Sequence, residues 1–128
     1  MAAIHVLKKT KQEVVLKIYR TDSGGGTEQI EPYDPTYILA DGQGYANTAE
    51  IDIQEIYWGA KKDKQIDINR VNDPVANTVH GHYYFLNSGH YKFVGFNDNS
   101  YANGAIRIVG DGPFHVILKL RKSGFPEL

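Results

Sequence analysis

Apolar residues in this chain recur with a period of two, and nowhere does a 3.6-residue period last three turns. Glu13 to Arg20 sets Val14, Leu16 and Ile18 on one face and Val15, Lys17 and Tyr19 on the other, the pattern of a half-buried strand. Gly24-Gly25-Gly26 ends that run, and Thr27 to Ile30 reads as a short second strand. Ala49 to Ala60 alternates through Ile51 and Ile53, then changes phase to Ile56 and Trp58, which predicts a β-bulge or two half-strands. Lys61-Lys62-Asp63 makes a turn, and Lys64 to Arg70 returns as a partner strand with Ile66 and Ile68 inward. Val79 to Leu86 and Tyr91 to Phe96 read as a hairpin around Asn87-Ser88-Gly89. Gly104 to Val109 and Phe114 to Lys122 read as another around Gly110 to Pro113, with Ile106, Ile108, Val116, Leu118 and Leu120 as core candidates. About eight strands at even spacing predict an all-β fold, a single-domain antiparallel β-sandwich of jelly-roll-like form spanning residues 1–128.

The chain is long enough to bury about two thirds of its unfolded surface without staples. It contains no cysteine, which removes disulfides and thiolate metal sites. Lys and Arg number 14 against 15 Asp and Glu, so no overall basic excess marks a nucleic-acid binder or a membrane-surface binder. No run approaches the length of a membrane span. At the start (Met1 to Lys9), charge follows a short apolar run, the reverse of a secretory signal, which predicts synthesis and folding in the cytoplasm.

Motifs that would carry catalysis are incomplete. Asn97-Asp98-Asn99-Ser100 resembles a calcium loop, but the sixth and twelfth positions are Ala102 and Ile108 instead of Gly and Glu. Gly24-Gly25-Gly26 lacks the Lys-Ser/Thr ending of a phosphate loop and no helix follows it. No Gly-x-Ser-x-Gly elbow is present, and Ser23, Ser88, Ser100 and Ser123 fall in turns without a local base. His80 and His82 share one face of a strand, and His90 lies on the arm expected to pair with it. Three imidazoles would suit zinc or nickel, the alternative being polar outward positions. The expectation is a protein without enzymatic activity and without a cofactor.

Aromatic residues give the stronger hint. The chain has nine Tyr, a side chain that supplies contact area at low entropic cost. Tyr57 and Trp58 are adjacent on a strand, as are Tyr83 and Tyr84, so in each pair only one residue faces the core. Residues 31–48 contain Pro32, Pro35, Gly42 and Gly44 and read as a long loop, with a short strand around Tyr37 to Leu39. Tyr33, Tyr37 and Tyr45 sit in that loop. With Trp58 and Tyr84 they are the candidate interface residues, either for a protein partner or for stacking on sugar rings. The alternative is a loop folded back over the sheet.

Three blocks carry a family resemblance. They are Ile56-Tyr57-Trp58 followed by Asp63-Lys64-x-Ile66-x-Ile68-x-Arg70; Val116 to Leu120 followed by Arg121 to Phe125; and Val6-Leu7-Lys8 followed by Thr10-Lys11-Gln12. None of the three is a catalytic motif. They resemble small virion structural proteins of tailed bacteriophages, especially contractile-tailed phages of cyanobacteria and other marine bacteria. The Tyr-rich loop and the aromatic stretch 79–96 depart from the resemblance. It implies a β-sandwich displayed in many copies on the virion: a homo-oligomeric decoration or cement protein bound to the major capsid protein, or a neck, tail or fibre-associated component. A carbohydrate-binding sandwich is the second reading, and a metal-dependent cupin-type enzyme the third.

Overall fold

The computed structural model describes residues 2–73, 78–93 and 102–128, with the side chains of 2, 72–73 and 78–82 outside that description. Among the described residues nine strands form: β1 (Ala2–Lys9), β2 (Glu13–Arg20), β3 (Gly26–Ile30), β4 (Glu50–Ala60), β5 (Gln65–Asp73), β6 (Thr78–Leu86), β7 (Ser88–Lys92), β8 (Ala105–Gly110) and β9 (Phe114–Ser123). They make a five-stranded sheet, A, ordered β1-β2-β9-β4-β7, and a four-stranded sheet, B, ordered β3-β8-β5-β6. Every pairing is antiparallel. β2 pairs with β9, β3 with β8, β4 with β7 and β5 with β6, so β2 to β9 run as one long hairpin wrapped over itself. That is jelly-roll topology, with β1 added at one edge. Among the described residues no helix is long and apolar enough to cross a membrane.

The expected inward faces meet between the sheets. Sheet A contributes Val14, Leu16 and Ile18 from β2, Ile51, Ile53 and Ile56 from β4, and Val116, Leu118 and Leu120 from β9. Sheet B contributes Ile30, Ile66, Ile68, Ile106 and Ile108. β-branched side chains suit a pleated surface, and full burial of each contributes about 1.5–3 kcal/mol. The phase change in β4 is a register shift between Ile53 and Glu55 against β9, the bulge that the sequence predicts. It keeps both halves of an 11-residue strand directed into one core.

Three expected pairings are corrected. β6 and β7 do not form a hairpin: at Asn87, whose φ is 61°, the chain crosses from sheet B to sheet A, and β7 pairs with β4. The pairs β4/β5 and β8/β9 also divide between the sheets. Short turns gave the appearance of hairpins, but each turn bridges the two layers, because residues on both sides must face inward from opposite sheets. The N-terminal segment adds a ninth strand, since its alternation is masked by Val6, Leu7 and Lys8.

Residues 31–48 fold back on the sandwich. In place of a strand at Tyr37 to Leu39 there is a capped turn: Asp34 Oδ1 accepts from the Thr36 and Tyr37 amides at 2.8 and 2.9 Å, and Ile38 N donates to Asp34 O at 3.0 Å. Aspartate at the cap followed by proline is a helix-start signal, and it outweighs the β-branched run after it. The turn drives Ile38 into the core, fully buried. Lys122 Nζ, at an inward position of β9, donates to Ile38 O at 2.6 Å and to Gln43 Oε1 at 2.5 Å. Lys9 Nζ donates to Thr36 O at 3.0 Å, and Gln43 Nε2 to Lys11 O at 2.9 Å. The loop is thus tied to both the β1–β2 turn and the end of β9.

Candidate functional site

The loop tyrosines divide. Tyr37 packs against the core. Tyr33 and Tyr45 stay exposed and meet edge-to-face at 5.7 Å, with Tyr45 against Phe125 at 6.4 Å. Beneath them lies a cleft of about 300 Å³ walled by Glu31, Val71 and Asn103. Tyr84 projects outward from β6, 62% exposed, beside the exposed Leu86.

Trp58 takes the inward place of its pair. Its ring stacks on Phe85 at 3.8 Å, bridging the sheets, and its indole N–H donates to Leu86 O at 3.2 Å. Gly89 on β7 leaves room for that ring, because a Cβ there would overlap it. The outward neighbour is Tyr57, 41% exposed, which sequence reasoning left aside. Alternation told that one of the pair faces out but not which, since the bulge resets the phase.

The histidines separate with the corrected pairing. His90 points out of sheet A, stacks on Tyr57 at 4.0 Å and shares Glu55 with it: Tyr57 O–H donates to Glu55 Oε2 at 3.0 Å, and His90 Nε2 lies 3.3 Å from the same oxygen. Lys92 stands 3.6 Å from Glu55 Oε1. Burial opposes the charge on Glu55, but these three partners together with the charge of Lys119 outweigh it and hold its carboxyl below the usual range. Glu55 in turn pushes the Tyr57 phenol up. The backbones of His80 and His82 run on β6 in the other sheet; their side chains, and Asn97 to Ser100, lie outside the described residues. Among the described residues no three His, Asp or Glu converge as a metal would need.

A wide concavity lies where no motif pointed, on the outer face of sheet A. Register places His5, Lys17, Ile117, Tyr57 and His90 in one row across five strands, and Tyr19, His115, Gly59 and Ser88 in the next. Above these rows is an open groove of about 990 Å³. No family model and no curated protein sequence matches the chain. Geometry alone therefore describes what the groove offers. Its floor is Ile117 and Gly59, where the His115 ring lies so close over the backbone that a Cβ on Gly59 would overlap it. One wall is Tyr19 with His5 stacked on it at 5.6 Å. Lys17, Lys61 and Arg20 line the groove, and no Asp or Glu does. Arg20 is engaged by Glu28 at 2.7 Å and Asp22 at 3.1 Å. Among the described residues Lys17 and Lys61 have no carboxylate within ion-pair distance.

Proposed function

We propose that this protein is a non-enzymatic structural component of a tailed-phage virion, a decoration or cement module that binds the major capsid protein. A neck, tail or fibre-associated position is the variant of the same reading. The observation that carries it is where the relief lies. The space between the sheets is packed mainly with aliphatic side chains, and among the described residues a wide open groove lies on a sheet face. Small-molecule and cofactor sites are ordinarily concave and bury most of their ligand, whereas an open, mixed surface suits a macromolecule. The jelly roll is also an architecture that capsid domains use, although fold alone does not assign function. The sequence resemblance points the same way.

A module of this kind joins neighbouring capsid subunits by adding buried area across their junctions, stabilising the assembled shell by mass action. Copies would associate symmetrically. The carbohydrate reading loses its main residue, since Trp58 faces inward and its ring is covered by Phe85. The test is sedimentation of a phage lysate with an antibody to this protein. Recovery with particles at a fixed ratio to capsid protein is expected; recovery only in the soluble fraction would refute the proposal.

A further inference from the structure

We infer that the groove on the outer face of sheet A is the docking site for an acidic peptide segment of a partner protein, with carboxylates at Lys17 and Lys61 and an apolar side chain over Ile117 beside the His115 ring. This rests on the reading of the protein as a binding module and names the chemistry of its partner.

Charge is the first argument. The whole chain carries a net charge of −1, yet the groove is lined by three cationic side chains and no carboxylate. A random sample of such a surface would mix both signs. Several neighbouring acids are already committed, Glu28 and Asp22 to Arg20 and Glu55 to Tyr57, His90 and Lys92, and Asp63, two residues beyond Lys61 in the same turn, does not line the groove. Two lysines are left without a carboxylate among the described residues, and lysine is a donor with no acceptor capacity. An ionised carboxylate is the complementary group, accepting only, and such charge-assisted bonds are stronger than neutral ones.

The second argument is what the groove lacks. Recognition of sugar hydroxyls needs acceptors as well as donors, and a free aromatic face. No carboxylate or amide side chain lines this groove, and its side-chain acceptors are confined to the Tyr19, Thr21 and Ser88 hydroxyls and the His5 and His115 imidazoles. Tyr19 has one face taken by His5, and at the groove's edge Tyr57 has one taken by His90. An acidic protein segment fits this donor-rich lining better than an acidic glycan does.

The third argument is the floor. Ile117 and the His115 ring, which sits over the backbone of Gly59 where any side chain would displace it, floor the groove between the two lysines. Apolar area supplies affinity, and the flanking charges supply orientation and rate of encounter.

The experiment is an NMR titration of the full chain with a fluorescein-labelled synthetic peptide of alternating Glu and Leu, beside its Gln–Leu counterpart and an oligogalacturonate. Expected are amide shifts centred on Lys17, Gly59 to Lys61 and His115 to Ile117 with the Glu peptide. Anisotropy should report binding at least ten-fold weaker in a Lys17→Glu/Lys61→Glu double variant of unchanged thermal midpoint, and weaker as salt rises. Equal response to the Gln peptide, shifts centred elsewhere, or response to the galacturonate alone would overturn the inference. Should the double variant fail to fold, Gly59→Ala, which needs only His115 to swing aside, serves as the second variant and should also weaken binding. Sedimentation separates the two proposals. If the folded double variant still pellets with particles, the groove inference fails and the virion reading stands. If the Glu peptide maps to the groove but the native protein never pellets, the reverse holds.

Discussion

Single residues set what this sandwich can present. Tyr57 and Trp58 differ by one position, and that position decides between a surface ring and a structural one. Trp58 stacks on Phe85, covers Gly89 and donates to Leu86 O at 3.2 Å, so it closes the gap where β6 gives way to β7. Trp58→Ala is expected to destabilise the fold by about 3 kcal/mol, the low end for removing a large aromatic, because the ring is only half-buried. Denaturant unfolding measures this; an unchanged midpoint would return Trp58 to the list of binding residues. Arg70 shows the same logic in the core. In phase with Ile66 and Ile68 it points inward, and its guanidinium donates to the carbonyls of Ile51 at 2.7 Å, Ala102 at 2.9 Å and Gly104 at 2.9 Å. The alternation that turns Ile66 and Ile68 inward reaches Arg70 one step further along the same strand.

Among the elements, residues 31–48 and β9 depend on each other through Lys122. Its inward phase follows Val116, Leu118 and Leu120, a signal present in the sequence and easily overlooked because lysine is ordinarily placed in solvent. Burial, with a smaller push from the charge of Lys9, lowers its pKa from 10.5 to about 8. The folded chain therefore releases this proton before the unfolded chain does. Between about pH 8 and 10.5 the unfolded state holds more protons, so the contribution of Lys122 to stability rises with pH across that window and levels off outside it. Native protein should show this rise in urea midpoints, and Lys122→Met should lose it. A parallel pH dependence in the two proteins would contradict the assignment. The loop's exposed tyrosines, Tyr33 and Tyr45, ride on this anchored base, so their positions are set by the sandwich beneath them.

For the molecule as a whole, connectivity governs folding. Among the nine described strands, β1–β2 and β5–β6 are sequential neighbours in a sheet, and the other consecutive strands lie in opposite layers. β2 meets β9 with Glu13 opposite Arg121, so one central pairing joins the two ends of the chain. Loop closure of that span must precede its reward, which predicts folding on the order of milliseconds to seconds. Stopped-flow refolding checks this, and a microsecond phase carrying the full amplitude would contradict it. The same wrapping gathers β1, β2, β9, β4 and β7 into one sheet, and with them the cationic groove.

The sequence by itself determined the all-β class, the single layer pair, the inward faces of β2, β4, β5, β8 and β9, and the bulge in β4. Each follows from side-chain alternation, a local property of the extended backbone. Tertiary structure alone decided which strands pair, that the apparent hairpins are crossings between sheets, that Trp58 faces in while Tyr57 faces out, and that His5, Lys17, Gly59, Lys61 and His115 share one groove. These residues come from four strands and a turn, separated by up to most of the chain. Period two states which side of a strand a residue occupies but carries no information about which strand lies beside it.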